Sequence, residues 1–168
     1  MALGVTTRNK PFSPCTGTNI ALHDRHRFLV AARRRAGQLT KIKILLADDH
    51  PHFPEMEERL LEPEFEVISK VGNGLALFQE AMRLKPDVIV TDISMPILNG
   101  IDAVDRLMES GCNSRIVFLT VHSDSDFIRR CLSTGAFGYV VKSRMASELV
   151  LAIREALAGK IFVSQHLQ

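Results

Sequence analysis

Asp48 and Asp49 follow an apolar run at 42–47, Thr91 and Asp92 close a run that begins at 88, Thr120 lies near the end of a run at 116–121, and Lys142 follows a run at 137–141. If each run is a strand of one parallel sheet, these side chains all emerge at the same edge, beyond the carboxyl ends of the strands. Three carboxylates, a hydroxyl and an ammonium group then converge. Crowded carboxylates repel one another, and protonation or a cation relieves the repulsion. Magnesium is the expected ion, because it prefers hard oxygen ligands, keeps several waters and is usually held by one or two carboxylates together with phosphate oxygens. An aspartate beside a metal and a lysine can itself attack phosphorus. The set therefore points to phosphoryl transfer onto an aspartate.

The elements that must position these residues are legible in the spacing. Five short segments rich in Val, Ile, Leu and Phe, at 42–47, 65–71, 88–90, 116–121 and 137–141, predict strands. Helical patterns fall between and after them, at 53–61, 75–84, 100–108, 125–132 and 146–158. Near-continuous apolar strands belong to parallel sheets covered on both faces, so the alternation predicts an α/β, doubly wound (βα)5 unit. Punctuation agrees: Pro86 ends the second helix, Ser110-Gly111 closes the third, Ser123 or Asp124 caps the fourth, and Gly135 breaks it. Asp49, ahead of His50-Pro51, is also a candidate N-cap for the first helix.

Composition bounds the remainder. A chain of 168 residues, 46% hydrophobic and 24% charged, suits one domain with an appendage. No apolar run approaches the roughly 18 to 20 residues of a membrane span, so no membrane association is expected. Three cysteines, Cys15, Cys112 and Cys131, show no C-x-x-C spacing, which suggests a reducing, cytoplasmic setting. Residues 1–40 carry seven basic residues against one acid, whereas the rest carries 14 basic against 18 acidic. With Pro11, Ser13, Pro14 and Gly17, and a stretch at 20–36 that could coil into a short basic helix, residues 1–40 are expected to be a disordered basic extension. An organelle transit peptide, a nucleic-acid contact at Arg33, Arg34 and Arg35, and a true start later than Met1 are the other readings of that segment. The expected domain is 41–160, with 161–168 a tail or the start of a linker.

At the strand ends the sequence resembles the receiver domain of two-component response regulators. The motifs carrying the resemblance are ILLADDH (44–50), VIVTDISMPILNG (88–100), IVFLT (116–120) and GAFGYVVKS (135–143), in order and over about 120 residues. The resemblance implies a CheY-like, flavodoxin-like five-stranded sheet of strand order 2-1-3-4-5, the order the chemotaxis receiver exemplifies. It implies Asp92 as phosphoacceptor, with Asp48, Asp49 and the backbone carbonyl of Ser94 joining Asp92 around Mg2+. Lys142 would pair with the phosphoryl oxygens, Thr120 would move to bond them, and Tyr139 would be the aromatic switch whose ring turns inward as Thr120 shifts. A sensor histidine kinase or phosphotransfer protein would be the donor, and phosphorelay signalling the function. Such a domain is not an enzyme in the usual sense, catalysing only its own phosphotransfer and autodephosphorylation.

Ser143 in place of the proline many receivers carry after the lysine, with DDHP at 48–51, resembles the LuxR-type (NarL-like) regulators. These continue into a helix-turn-helix domain; no recognition helix stands before Gln168, so either a stand-alone receiver or a truncated one is expected, without DNA binding in this chain. A phosphorylation-dependent homodimer is a further implication. Two other functions fit the fold less well. A haloacid dehalogenase-type phosphatase would show a second acid two residues beyond Asp92, where Ser94 stands. A flavodoxin would need a phosphate loop at Asp48-Asp49-His50-Pro51, whose charges repel phosphate. A phosphate sink or a dimerisation partner for other regulators would keep the chemistry. His50, His52 and His122 lie near the same edge but are set aside as metal ligands, since the cluster is already an oxygen site.

Overall fold

The computed structural model describes residues 33–35 and 38–164. The apolar runs become β1 (Ile42–Ala47), β2 (Phe65–Val71), β3 (Val88–Thr91), β4 (Arg115–Thr120) and β5 (Gly138–Val141), all parallel, and a sixth strand, β6 (Phe162–Val163), adds to the far edge. The order is β2-β1-β3-β4-β5-β6. The expected 2-1-3-4-5 sheet is therefore present and extended by one strand. Two residues are too few to show a periodicity, so β6 was not legible in the sequence. It is held by the Phe162 and Ser164 N–H groups donating to Phe137 and Tyr139 carbonyls, at 2.8 Å each. Part of the segment expected to be a tail thus belongs to the sheet.

Helices α1 (Phe53–Leu61), α2 (Gly74–Leu84), α3 (Gly100–Glu109), α4 (Ser125–Ser133) and α5 (Met145–Leu157) cover both faces. Alternation along β1 explains the two layers. Leu45 and Ala47 point into a core shared with Leu77, Val104 and Cys131 of α2, α3 and α4. Ile44 and Leu46 point into the opposite core, shared with Leu61 of α1 and Leu149 and Ile153 of α5. The helix starts are built locally. The side chains of Asn73, Asn99 and Asp124 accept the N–H of Ala76, Asp102 and Phe127, each satisfying a donor the helix cannot. Helix α1 begins differently: its N-cap is His52 with no side-chain bond, and a proline occupies its first turn. Asp49 does not cap it and stays at the edge of the acidic cluster.

Of the N-terminal segment, Arg33–Arg35 pairs antiparallel with Gln38–Thr40. The backbone at 33–35 is thus extended; the rest of the stretch at 20–36, and residues 1–32 of the expected disordered extension, lie outside the described residues.

Candidate functional site

The sheet ladder itself delivers the acids. Asp48 and Asp92 are the first residues beyond β1 and β3, and each continues the ladder by one bond, Asp48 N–H to the Val71 carbonyl at 3.0 Å and Asp92 N–H to the Ala47 carbonyl at 2.8 Å. Their carboxylates are fixed on neighbouring strand ends and buried. Gly100 makes room for the helix that follows. A Cβ there would sit 1.9 Å from the Asp92 carbonyl oxygen, so only glycine lets α3 begin against the backbone of Asp92.

Lys142, in the short 3-10 turn after β5 (Lys142–Arg144), reaches across the edge. Its Nζ donates to Asp92 Oδ2 at 2.6 Å and lies 2.5 Å from Asp48 Oδ2, with the lysine side chain 3% and both carboxylates 1% exposed. Burial alone would lower its pKa, but hydrogen bonds to Asp48 and Asp92 outweigh this and leave the ammonium more basic than usual. The Phe53 ring packs beneath it, 4.3 Å from Nζ. Asp92 Oδ1 accepts the Ile93 N–H at 2.6 Å and the Ser94 N–H at 3.4 Å. Asp92 is thus held by three donors, with both oxygens oriented before any ligand arrives.

On the open side, His50 Nδ1 lies 3.1 Å from both Asp48 Oδ1 and Asp49 Oδ1. One ligand atom from each of Asp48, Asp49, His50 and Asp92 falls within 4.8 Å of the others. Three carboxylates in that space form a hard oxygen donor set that could hold a metal ion. His50, set aside on residue-type grounds, sits among them. His52 does not join this group.

Thr120, fully buried at the end of β4, accepts the His122 N–H at 3.4 Å. The Tyr139 ring is likewise fully buried, and its hydroxyl donates to the His122 carbonyl at 2.9 Å. Burial raises the phenol pKa above its usual range. The His122 ring stacks on Phe127 with centroids 4.1 Å apart, and its Nε2 lies 3.0 Å from Ser94 Oγ. His122 therefore ties the loop after β4 to the loop after β3 across the mouth of the site. Its sequence position beyond Thr120 carried no such signal, because the contact joins residues 28 apart.

One buried group at the site was not anticipated. Glu57, on the inner face of α1, is 1% exposed. Burial raises its pKa to about 8, the Asp48 and Asp92 charges adding to the rise and Lys142 opposing it.

A parallel sheet with paired acids on adjacent strand ends and a lysine bridging them defines a class: an α/β domain with a buried acidic pocket at the carboxyl edge of its sheet. The response regulator receiver domain model matches residues 44–154. The chain is 34% identical over 125 residues to the transcriptional regulatory protein DegU of Brevibacillus brevis, covering 73% of this chain and 53% of that protein. To the nitrate/nitrite response regulator protein NarL of Escherichia coli K12 it is 33% identical over 126 residues, covering 74% and 58%. A crystal structure of a LuxR-family two-component response regulator from Aurantimonas sp. SI85-9A1 superposes with a TM-score of 0.69 at 33% identity, covering 73% of this chain and 89% of that one. The chain belongs to the response regulator receiver domain family of two-component phosphorelay signalling, and its homologues are regulators of the LuxR/NarL type. It spans little more than half the length of the curated relatives it matches. No helix among the described residues is long and apolar enough to cross a membrane.

Proposed function

We propose that Asp92 accepts a phosphoryl group from the phosphohistidine of a sensor kinase or phosphotransfer protein in a Mg2+-dependent reaction, and that the domain switches conformation in response. The observation that carries this reading is the shared lysine: Lys142 joins Asp48 and Asp92 in one buried charge cluster. One oxygen of Asp92 attacks phosphorus, and the electron pair of the breaking P–N bond stays with the donor imidazole. Asp48, Asp49, Asp92 and the Ser94 carbonyl would hold Mg2+, which, when bound, neutralises charge on the transferring group. Lys142 faces the same charge, and the Ile93 and Ser94 N–H groups, already aimed at Asp92 Oδ1, are available to it.

Phosphorylation adds close to two negative charges and three strong acceptors at the sheet edge. Thr120, within the same edge, is the hydroxyl that turns toward them, and Tyr139, whose ring is inward here, reads that movement through His122. The domain catalyses its own phosphotransfer and autodephosphorylation, works in the cytoplasm, and acts on an output partner or a transcription response. The basic segment 1–40 is an appendage to a receiver that begins at 41 and, beyond the expected limit of 160, takes in the edge strand at 162–163.

Intact-mass spectrometry after incubation with acetyl phosphate tests this. A gain of one phosphoryl group is expected in the wild type with Mg2+, and no gain with a chelator or in Asp92→Asn. Equal labelling of Asp92→Asn would remove Asp92 from its role.

A further inference from the structure

Helix α1 turns one row of side chains inward: Phe53, Glu57 and Leu61, spaced four residues apart. Phe53 packs under Lys142 and Leu61 is fully buried in the core, so an apolar residue would suit the middle position. The chain places a carboxyl group there instead. Glu57 is 1% exposed, and its Oε1 has no hydrogen-bond partner among the described residues. Burying a charged carboxyl without a partner is costly, and such a group responds by holding its proton. The charged groups around Glu57 are Asp48 beyond β1, Asp92 beyond β3 and Lys142 beyond β5, one from each of three strand ends that build the pocket.

From this placement we infer that Glu57 is a positioning residue of the phosphoacceptor pocket, a buried fourth carboxyl that strengthens the hold of Asp48 and Asp92 on a divalent cation. This rests on the function proposed above. It is carried by charge acting through neighbours, since Glu57 lies outside the group of residues whose ligand atoms come within 4.8 Å of one another. Before a metal enters, the Lys142 ammonium offsets part of the charge on the two buried aspartates. Asp48, Asp49 and Asp92, less the charge of Lys142, already match a dication, and an ionised Glu57 behind them adds a further attraction at longer range. The raised pKa of about 8 fits the same picture: the carboxyl gives up its proton reluctantly until positive charge arrives.

The test is Mg2+ affinity measured by isothermal titration calorimetry at pH 9, where Glu57 is ionised, on wild type, Glu57→Gln and Glu57→Leu. Gln preserves shape and removes charge; Leu completes the apolar row and guards against a folding defect. Both variants should bind Mg2+ about five- to tenfold more weakly. A purely structural Glu57 would leave all three affinities equal, and that result overturns the inference. Wild type that binds no Mg2+ would instead overturn the proposed function on which it rests.

Discussion

Replacing Lys142 by Met removes the ammonium while keeping a stem of similar length against Phe53. In the absence of metal, the change leaves the Asp48 and Asp92 carboxylates, each 1% exposed, without the cation they share. Removing one member of a buried ion pair costs about 3–5 kcal/mol, and removing the charge from the face of the Phe53 ring adds roughly 0.5–1 kcal/mol. A domain of this size has about 5–15 kcal/mol of stability, so the variant is expected to fold with a much lower urea midpoint in EDTA. Mg2+ changes the outcome. In the wild type an incoming cation must compete with Lys142 for Asp48 and Asp92; in the variant it meets two free carboxylates. At 100 times its dissociation constant a ligand of the native state adds about 2.7 kcal/mol, so Mg2+ at a level that saturates the variant should recover roughly half of the loss. The assay is urea unfolding followed by circular dichroism, with EDTA and with excess Mg2+, on both proteins. A loss below about 1 kcal/mol in EDTA would refute the premise that the pair is desolvated and unreplaced. An equal loss with and without Mg2+ would refute the idea that lysine and metal neutralise the same acids.

Three further outcomes are expected. Glu57 keeps its proton in the folded state up to about pH 8 but loses it near 4.5 when unfolded, so its contribution to stability is complete below pH 4.5 and is lost as pH rises through that window. Metal-free unfolding free energy should therefore decline by roughly 3–5 kcal/mol between pH 5 and 8 on account of this group, and Glu57→Gln should flatten the decline; an unchanged slope would place the titration elsewhere. Gly100→Ala should destabilise the domain by roughly 2–4 kcal/mol and shift the Ile93 and Ser94 amide resonances, since its Cβ would overlap the Asp92 carbonyl; wild-type spectra and stability would contradict the close approach. Ile97, in the loop after β3, is a β-branched residue at φ 69° and 78% exposed, so Ile97→Asn should raise the unfolding free energy by about 1 kcal/mol, because the strain is relieved while the core packing stays intact. A destabilised Ile97→Asn would show that the loop depends on the isoleucine.

The sheet was legible because each strand carries its own signal: runs such as ILLA and VIV are buried on both faces whatever surrounds them, and parallel topology then forces Asp48, Asp92, Thr120 and Lys142 to one edge. Residue types and chain order were sufficient for that. Strand β6 was not legible, since two residues have no period, and their pairing depends on where α5 ends. What the acids do to one another was likewise decided only in three dimensions. Lys142 had to be seen across 50 residues from Asp92 to be known as the shared counter-ion, and His50 had to be placed before it could count as part of the acid cluster. Glu57 shows the difference most plainly. In the sequence it is one acid among several on a charged helix, Glu55 and Glu58 beside it; only the packing of α1 turns those two outward and carries Glu57 under the pocket, where low polarity and nearby charge give it a different chemistry. Local pattern determines which faces are buried, and tertiary packing determines which charges are buried together.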